Sequence, residues 1–175
     1  MMCGVMVWGL EMAGNMSYRT GIGYDIHRLV AGRRLVLGGV EIPGEYGLAG
    51  HSDADVVLHA LCDAMLGAAG LSDIGEHFPD TDPNFKDVDS RRFVTEVLRL
   101  LTARGYEIGN VDLIIHAQRP RLGGHKSHIK QTIAVMLGLP EEMVSVKATT
   151  NEGLDAIGRG EAVASWATVL LRKAF

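Results

Sequence analysis

Cysteine, basic charge and long apolar runs are all scarce in this chain, and each scarcity disfavours a class of protein. The two cysteines, Cys3 and Cys62, provide no disulfide framework, which fits a reducing cytoplasm. A net charge of −4 lacks the basic surplus that nucleic-acid-binding domains normally show. No apolar run approaches the roughly 18 residues that a membrane span needs. We therefore expect a cytoplasmic protein that binds neither nucleic acid nor membranes.

Two common nucleotide-binding motifs are absent as well. The chain contains neither a Walker A loop nor a GxGxxG fingerprint, which excludes an ordinary P-loop or Rossmann site at the level of motifs. A chain of 175 residues is expected to form one domain. Residues 1–17 form a largely apolar leader that lacks the basic start of a signal peptide. We expect this leader to be disordered and the domain to span residues 18–175.

Hydrophobic spacing predicts strands that alternate with helices. The predicted strands are residues 18–25, 33–37, 40–43, 111–117, 144–149 and 162–171. Spacing of three and four predicts a largely buried first helix, capped by Ser52 or Asp53, and a second helix, capped by Asp89 or Ser90. A third helix ends before the strand at 144–149. Because these elements surround one core, the chain belongs to the α/β or α+β class.

Three residues near the start of the domain have the chemistry of a metal site. Asp25 and His27 alternate along a predicted strand, so both side chains point to one face, and His59 lies in the first predicted helix. One carboxylate and two imidazoles suit a divalent metal of the zinc type and leave one coordination position open. Asp63, one helical turn later, would then accept the second ring N–H of His59. The alternatives remain that Asp25 and His27 form ordinary hydrogen bonds, as D-x-H pairs often do, and that His59 has a structural role. Asp63 is then a solvated carboxylate.

A second polar cluster follows the strand at 144–149. Lys147 is close in sequence to the hydroxyl groups of Thr149 and Thr150 and to the carboxylate of Glu152. Hydroxyl and backbone N–H groups donate to phosphate oxygens, and a carboxylate can hold Mg²⁺. The cluster therefore has the composition of a phosphate-binding corner. A strand followed by an ordinary polar turn remains the alternative.

From residue 19 to residue 173 the chain resembles one known family, the 2-C-methyl-D-erythritol 2,4-cyclodiphosphate synthases of the non-mevalonate isoprenoid pathway. The blocks that carry the resemblance are GIGYDIH (21–27), HSDADVVLHALCDAMLGAAGLSDIGEHFPDTD (51–82), GNVD (109–112), KATTNE (147–152) and GRGE (158–161). Several long blocks in the right order make the resemblance specific, although no single triplet does.

The resemblance implies a homotrimer with active sites between neighbouring subunits, each subunit having a mixed sheet of about four strands packed by helices on one face. It implies Zn²⁺, or another divalent transition metal, on Asp25, His27 and His59. It also implies Mg²⁺ or Mn²⁺ on Glu152. The implied reaction is intramolecular: the 2-phosphate of 4-diphosphocytidyl-2-C-methyl-D-erythritol 2-phosphate attacks the β-phosphorus, closes the cyclic diphosphate and expels CMP. Such an enzyme is a phosphorus–oxygen lyase.

The resemblance also assigns roles to individual positions. His51 and Thr150 match the family positions that stabilise the transition state. The implied substrate contacts are Asp25, His27, His51, Ser52, Asp73, Ile74, Gly75, Phe78, Pro79, Asp80, Thr81, Asp82, Ala117, Gln118, Arg119, Pro120, Arg121, Leu122, Gly123, Lys147, Thr149, Thr150, Asn151, Glu152, Ala156 and Arg159. Arg159 and Glu161 lie where the family lines a cavity on the trimer axis, which can take up an isoprenoid diphosphate.

Four positions depart from the family pattern, of which Asn151 in place of a small hydroxyl residue is a mild change, and two other functions stay open. Arg121 replaces a common lysine. Gly124 replaces a common proline, so with Gly123 it should loosen the loop 117–123, which by resemblance would bind cytosine. Ala156 replaces a common aromatic residue, so we expect a wider diphosphate region or axial cavity. Two histidines and a carboxylate also describe a non-haem Fe(II) oxygenase. A catalytically silent trimer that binds an isoprenoid diphosphate is the other alternative.

Overall fold

The computed structural model describes residues 17–82, Phe85 and residues 88–173. The expectation of a disordered leader over residues 1–17 lies, except for Ser17, outside the described residues. The strands are β1 Tyr18–Ala31, β2 Leu35–Leu37, β3 Val40–Ile42, β4 Tyr46–Leu48, β5 Tyr106–His116, β6 Val144–Thr149 and β7 Ala162–Lys173. The helices are α1 Val56–Ala69, α2 Ile74–His77, α3 Arg91–Ala103, α4 Lys126–Leu137 and α5 Asp155–Gly158. A 3₁₀ turn, Glu141–Met143, precedes β6.

The main sheet is mixed, as expected, but it has five described strands rather than about four. Their order is β4-β1-β7-β5-β6, and only the β5–β6 pair is parallel. The additional edge strand, β4, lies in a stretch for which the sequence pattern predicts no strand. β1 is longer than the predicted 18–25, because it pairs with β7 as far as Arg28 and then with β4. The β2–β3 hairpin forms a separate pair.

Helices α1, α3 and α4 cover one face of this sheet, and α1 is the most deeply buried of them. The short helix α5 instead packs through Ile157 against Ala162 and Ala164 of β7 on the other face, so the prediction of helices on one face holds only for the long helices. Leu58, Leu61 and Met65 are fully buried, and each such side chain contributes roughly 1.5–3 kcal/mol of hydrophobic stabilisation. Cys62 on the same helix is also fully buried, and this burial raises the pKa of its thiol well above the ordinary value. The free thiol is therefore held as an inert core group.

The cap of α1 differs from the prediction of Ser52 or Asp53. The N-cap is Asp55, whose carboxylate accepts hydrogen bonds from the N–H groups of Val57 and Leu58. It also accepts from the N–H groups of Gly38 and Gly39 in the β2–β3 turn. Burial of the carboxylate raises its pKa to about 6, although these backbone hydrogen bonds oppose the shift. The cap was mispredicted because the partner hairpin is distant in sequence.

The opposite face of the sheet carries large apolar side chains that the described subunit leaves exposed. Ile22, Tyr24 and Ile26 project from β1 to this face, with exposed fractions of 62%, 41% and 42%. Trp166 of β7 is 41% exposed, and its ring centroid lies 4.5 Å from that of Tyr24. Such a contiguous apolar patch usually marks an interaction surface. Among the described residues, no helix is long and apolar enough to cross a membrane.

Candidate metal centre and phosphate-binding corner

The predicted metal triad comes together where β1 packs against α1. The Oδ2 atom of Asp25 lies 3.0 Å from His27 Nε2 and 3.0 Å from His59 Nδ1. The two imidazole nitrogens are 3.4 Å apart, and a ligand atom from each residue lies within 4.8 Å of the others. Ligands at about 2.0 Å from a tetrahedral zinc ion are roughly 3.3 Å apart, so these three residues fit such an ion.

The electrostatics of the triad favour a cation among the three side chains. Burial raises the pKa of Asp25, but hydrogen bonds with His27 and His59 outweigh it and hold the pKa well below its ordinary value. Burial lowers the pKa of His27, but the hydrogen bond to Asp25 and its charge outweigh that effect and raise the pKa. Asp25 is therefore ionised at neutral pH and can offer a charged oxygen to a metal.

The expected hydrogen bond between Asp63 and His59 is wrong. The Oδ1 atom of Asp63 accepts the N–H of Ile74 at 2.8 Å and so holds the start of α2. His59 Nε2 instead lies 2.9 Å from Ser90 Oγ and 3.2 Å from Ser52 Oγ. Proximity along one helix could not decide this, because the competing partners come from segments far along the chain. The sequence indicates Ser90 only as a helix cap.

A cavity of about 360 Å³ opens from the triad. Its lining contains the triad and several residues that the resemblance assigned to the substrate, namely His51, Ser52, Ile74, Gly75, Phe78 and Asp80. Phe78 also stacks on Phe93 with ring centroids 4.7 Å apart, and Phe93 completes an apolar wall that the sequence did not predict. Asp73 accepts the N–H of Glu76 and caps α2, which agrees with the turn-capping role of such residues.

An arginine that the sequence analysis did not single out holds the turn that carries His51. Arg33 donates to the carbonyl oxygen of Gly50 at 3.3 Å and to that of Ser52 at 3.1 Å. These two carbonyls flank His51, whose Nε2 atom lies 3.4 Å from the carbonyl oxygen of Asp82. The position of the His51 backbone is therefore fixed from both sides.

The second predicted cluster forms a separate pocket of about 560 Å³. Its lining joins the 117–123 loop to the end of β6 and consists of Ala117, Gln118, Arg121, Leu122, Gly123, Lys126, Ala148, Thr149, Thr150 and Glu152. Thr150 donates its hydroxyl hydrogen to Glu152 Oε1 at 2.9 Å. Lys126, at the start of α4, adds a cation that the sequence analysis did not consider. Hydroxyl groups, the two cationic side chains of Arg121 and Lys126, and a carboxylate suit a phosphate ester with a bound divalent cation.

Several assigned residues have other contacts in the described subunit. Lys147 forms an ion pair with Asp112 at 2.6 Å, and both side chains are partly exposed. Asn151 Oδ1 lies 2.9 Å from His116 Nδ1. The guanidinium of Arg119 lies over the ring of Tyr46 at 4.4 Å and donates to the carbonyl oxygen of Gly160, so its side chain anchors the 117–123 loop.

The triad and the corner lie at different places on one subunit. Ile26 of β1, Ala164 of β7, His116 of β5 and Thr149 of β6 form one row across the sheet. Since neighbouring strands are about 4.8 Å apart, three spacings separate Ile26 from Thr149 by roughly 14 Å. No residue that the structure describes lines both cavities. A single diphosphate group, only a few ångströms long, therefore does not span both clusters within one subunit.

Comparison with known proteins gives long matches. A sequence model of the YgbB family matches residues 18–172. A 2-C-methyl-D-erythritol 2,4-cyclodiphosphate synthase from Desulfosudis oleivorans is 58% identical over 153 residues, which cover 87% of this chain and 91% of that protein. The bifunctional IspDF from Campylobacter jejuni has a TM-score of 0.87 and 42% identity, over 90% of this chain and 43% of that one.

A solved 2C-methyl-D-erythritol-2,4-cyclodiphosphate synthase in its CDP-bound form has a TM-score of 0.82 and 41% identity, over 87% of this chain and 99% of that one. These matches extend over both clusters described above, the triad on β1 and α1 and the corner at the end of β6. With a family match over nearly all the described residues, the chain belongs to the YgbB family.

Proposed function

We propose that the chain converts 4-diphosphocytidyl-2-C-methyl-D-erythritol 2-phosphate into 2-C-methyl-D-erythritol 2,4-cyclodiphosphate and CMP, as a phosphorus–oxygen lyase of the non-mevalonate isoprenoid pathway. The observation that carries this proposal is the triad of Asp25, His27 and His59, gathered at the mouth of a cavity in a chain of this family. The CDP bound to a relative of 41% identity supports a cytidine diphosphate substrate.

The chemistry of the reaction agrees with the residues present. The attacking group is a phosphate monoester, whose second pKa is about 6, so it is already largely ionised at neutral pH. No general base is then needed to activate it. The difficulty lies in bringing two anionic groups together in line, so the protein must supply positioning and positive charge.

Two cation sites and two polar side chains would meet that demand. Asp25, His27 and His59 would hold Zn²⁺ or another divalent transition metal, and Glu152 would hold Mg²⁺ or Mn²⁺. When bound, such cations neutralise phosphoryl charge and act as a template for in-line attack. His51, fixed through Arg33, and Thr150, held by Glu152, would stabilise charge in the transition state.

The separation of the two clusters supports a homotrimer with shared sites. Because the triad and the corner are about 14 Å apart within one subunit, a neighbouring subunit must bring its corner to the triad for one diphosphate to touch both. The exposed apolar face with Tyr24 and Trp166 provides a surface for that contact. A cyclic homo-oligomer repeats one such interface around an axis, so each subunit contributes its triad to one site and its corner to the neighbouring site.

Three further assignments stay predictions. Arg159 and Glu161 form an exposed bidentate ion pair with distances of 3.0 Å, and they would line an axial cavity for an isoprenoid diphosphate. A cytoplasmic location stays a prediction as well. The division into a leader over residues 1–17 and a catalytic domain over residues 18–175 is tested by removing residues 1–15, which we expect to leave turnover intact.

The proposed activity is tested by supplying the diphosphocytidyl substrate with Zn²⁺ and Mg²⁺. We expect equal amounts of CMP and cyclic diphosphate from the unmodified protein and none from His59→Ala, which should remain folded and oligomeric. His128→Ala, which changes an exposed histidine on α4, is the matched control and should retain full turnover. Substrate binding without CMP release would instead support the silent binding protein. Bound iron with oxygen consumption, and no zinc, would support the oxygenase.

A further inference from the structure

His59 has a hydrogen-bond partner on the side of its ring that faces away from Asp25 and His27. Its Nε2 atom lies 2.9 Å from Ser90 Oγ. Ser90 in turn donates its hydroxyl hydrogen to Asp53 Oδ1 at 2.5 Å and its backbone N–H to Asp53 Oδ2 at 3.1 Å. Ser90 is fully buried. The contacts form a continuous chain from Asp53 through Ser90 to His59.

The direction of these bonds follows from the groups involved. A serine hydroxyl has one hydrogen to donate, and a carboxylate only accepts. Because Ser90 gives its hydrogen to Asp53, its oxygen can only accept from His59. His59 must therefore carry a hydrogen on Nε2. Its other nitrogen, Nδ1, is the atom that faces Asp25 at 3.0 Å and His27 at 3.4 Å.

We propose that Asp53 and Ser90 are positioning residues, which hold the Nε2–H tautomer and the ring orientation of His59 and so present Nδ1 as a metal ligand. This inference rests on the proposed function, since it concerns a metal on the triad. Partners of this kind on ligating histidines typically change metal affinity by 10–100-fold. Ser52 Oγ lies 3.2 Å from the same nitrogen and also accepts the N–H of Ala54. Among the hydrogen bonds of the described residues it has none with Asp53, so the direction of its bond to His59 is not fixed as that of Ser90 is.

The substitution Ser90→Ala can distinguish a positioning role of Ser90 from a purely structural one. Ser90 occupies the N-cap position of α3, yet its side chain makes no capping hydrogen bond to that helix. Its structural link to Asp53 runs also through the backbone N–H, which substitution by alanine preserves. Ser90→Ala therefore removes the hydroxyl contact with His59 while one link between Asp53 and the start of α3 remains.

Zinc affinity, measured by competition with a chromophoric chelator, provides the first test. We expect Ser90→Ala to bind Zn²⁺ ten-fold or more weakly than the unmodified protein and Ser90→Thr, which keeps a hydroxyl, to recover most of that loss. Asp63→Asn is the matched control, because Asp63 lies on the same helix but contacts Ile74 instead; its zinc affinity should not change. Equal zinc affinity in Ser90→Ala and the unmodified protein would overturn the inference. Failure of the unmodified protein to bind zinc or any other divalent transition metal would overturn the proposed function itself.

A second test does not depend on whether a Ser90 variant folds. In the zinc-loaded unmodified protein with ¹⁵N-labelled histidine, we expect His59 to show a protonated Nε2 that exchanges slowly with solvent. His59→Asn identifies its signals among those of the seven histidines. A His59 ring without a hydrogen on Nε2 would overturn the inference, whatever the zinc affinity.

Discussion

A Cβ atom at Gly23 would overlap the carbonyl oxygen of Ala60, so β1 and α1 meet backbone against backbone. Gly21 stands in the same relation to Ala64. Asp25 and His27 follow at the next two alternate positions of β1, on the face that packs against α1. The close approach therefore brings these two side chains within hydrogen-bonding distance of His59, and the geometry of the candidate metal triad depends on it.

Substitution Gly23→Ala should consequently disrupt both stability and the triad. Overpacking of a close contact typically costs 1–3 kcal/mol, and here the obstacle is rigid helix backbone, so we expect a loss of roughly 3 kcal/mol or more in the free energy of unfolding. Chemical denaturation of the metal-free protein measures it. Gly67→Ala on the exposed side of α1 is the control, since it should be neutral or stabilising by up to roughly 1 kcal/mol. Equal stability of the two variants would contradict the backbone contact.

Mixed oligomers test whether neighbouring subunits share sites. His59→Ala lacks a complete triad and Glu152→Gln lacks the corner carboxylate, so each variant alone should be inactive. When the two are co-expressed, a site that takes its triad from one subunit and its corner from the next is complete at about a quarter of interfaces in randomly mixed trimers. CMP release near that fraction of the unmodified rate is expected. Persistent inactivity of a verified mixed oligomer would show that the sites are not shared.

The apolar face of the sheet should control assembly. Trp166→Glu places a charge beside Tyr24 in the proposed interface, where burying it without a partner is costly. We expect light scattering to show dissociation to monomers, with loss of turnover and retention of the fold by circular dichroism. Val135→Glu alters an apolar side chain that is 77% exposed on α4 and serves as the control. A Trp166→Glu protein that remains trimeric would place the interface elsewhere.

The ion pair of Asp25 with His27 predicts how the stability of the metal-free protein depends on pH. The pKa of Asp25 lies below its ordinary 3.8, so its contribution is present above that pH and is lost as pH falls through the folded pKa. The pKa of His27 lies above its ordinary 6.5, so its contribution is present below that pH and is lost as pH rises through the folded pKa. The pair stabilises most between pH 3.8 and pH 6.5.

We therefore expect the difference in Tm between the unmodified protein and Asp25→Asn, both metal-free, to be larger at about pH 5 than at about pH 8.5. The comparison with Asp25→Asn also removes the separate pH dependence of buried Asp55, which is common to both proteins. A difference in Tm that is constant over this range would contradict the pKa shifts.

Local pattern was enough to predict the residue types of the site. The alternation of Asp25 and His27 placed both on one strand face, and the run around His59 predicted a buried helix, as the structure confirms. Where the sequence failed, the deciding partner lay far along the chain. The hairpin turn that receives Asp55, and the Ser90 hydroxyl that replaces Asp63 beside His59, are examples.

The sequence by itself therefore determined most of the strands, the three long helices, the candidate triad and the family, because strand and helix periods and ligand chemistry are local properties of neighbouring residues. The tertiary structure decided which nitrogen of His59 faces the other ligands. It also placed the triad and the corner of one subunit three strands apart. Both depend on packing between distant segments, which sets distances that no local spacing contains.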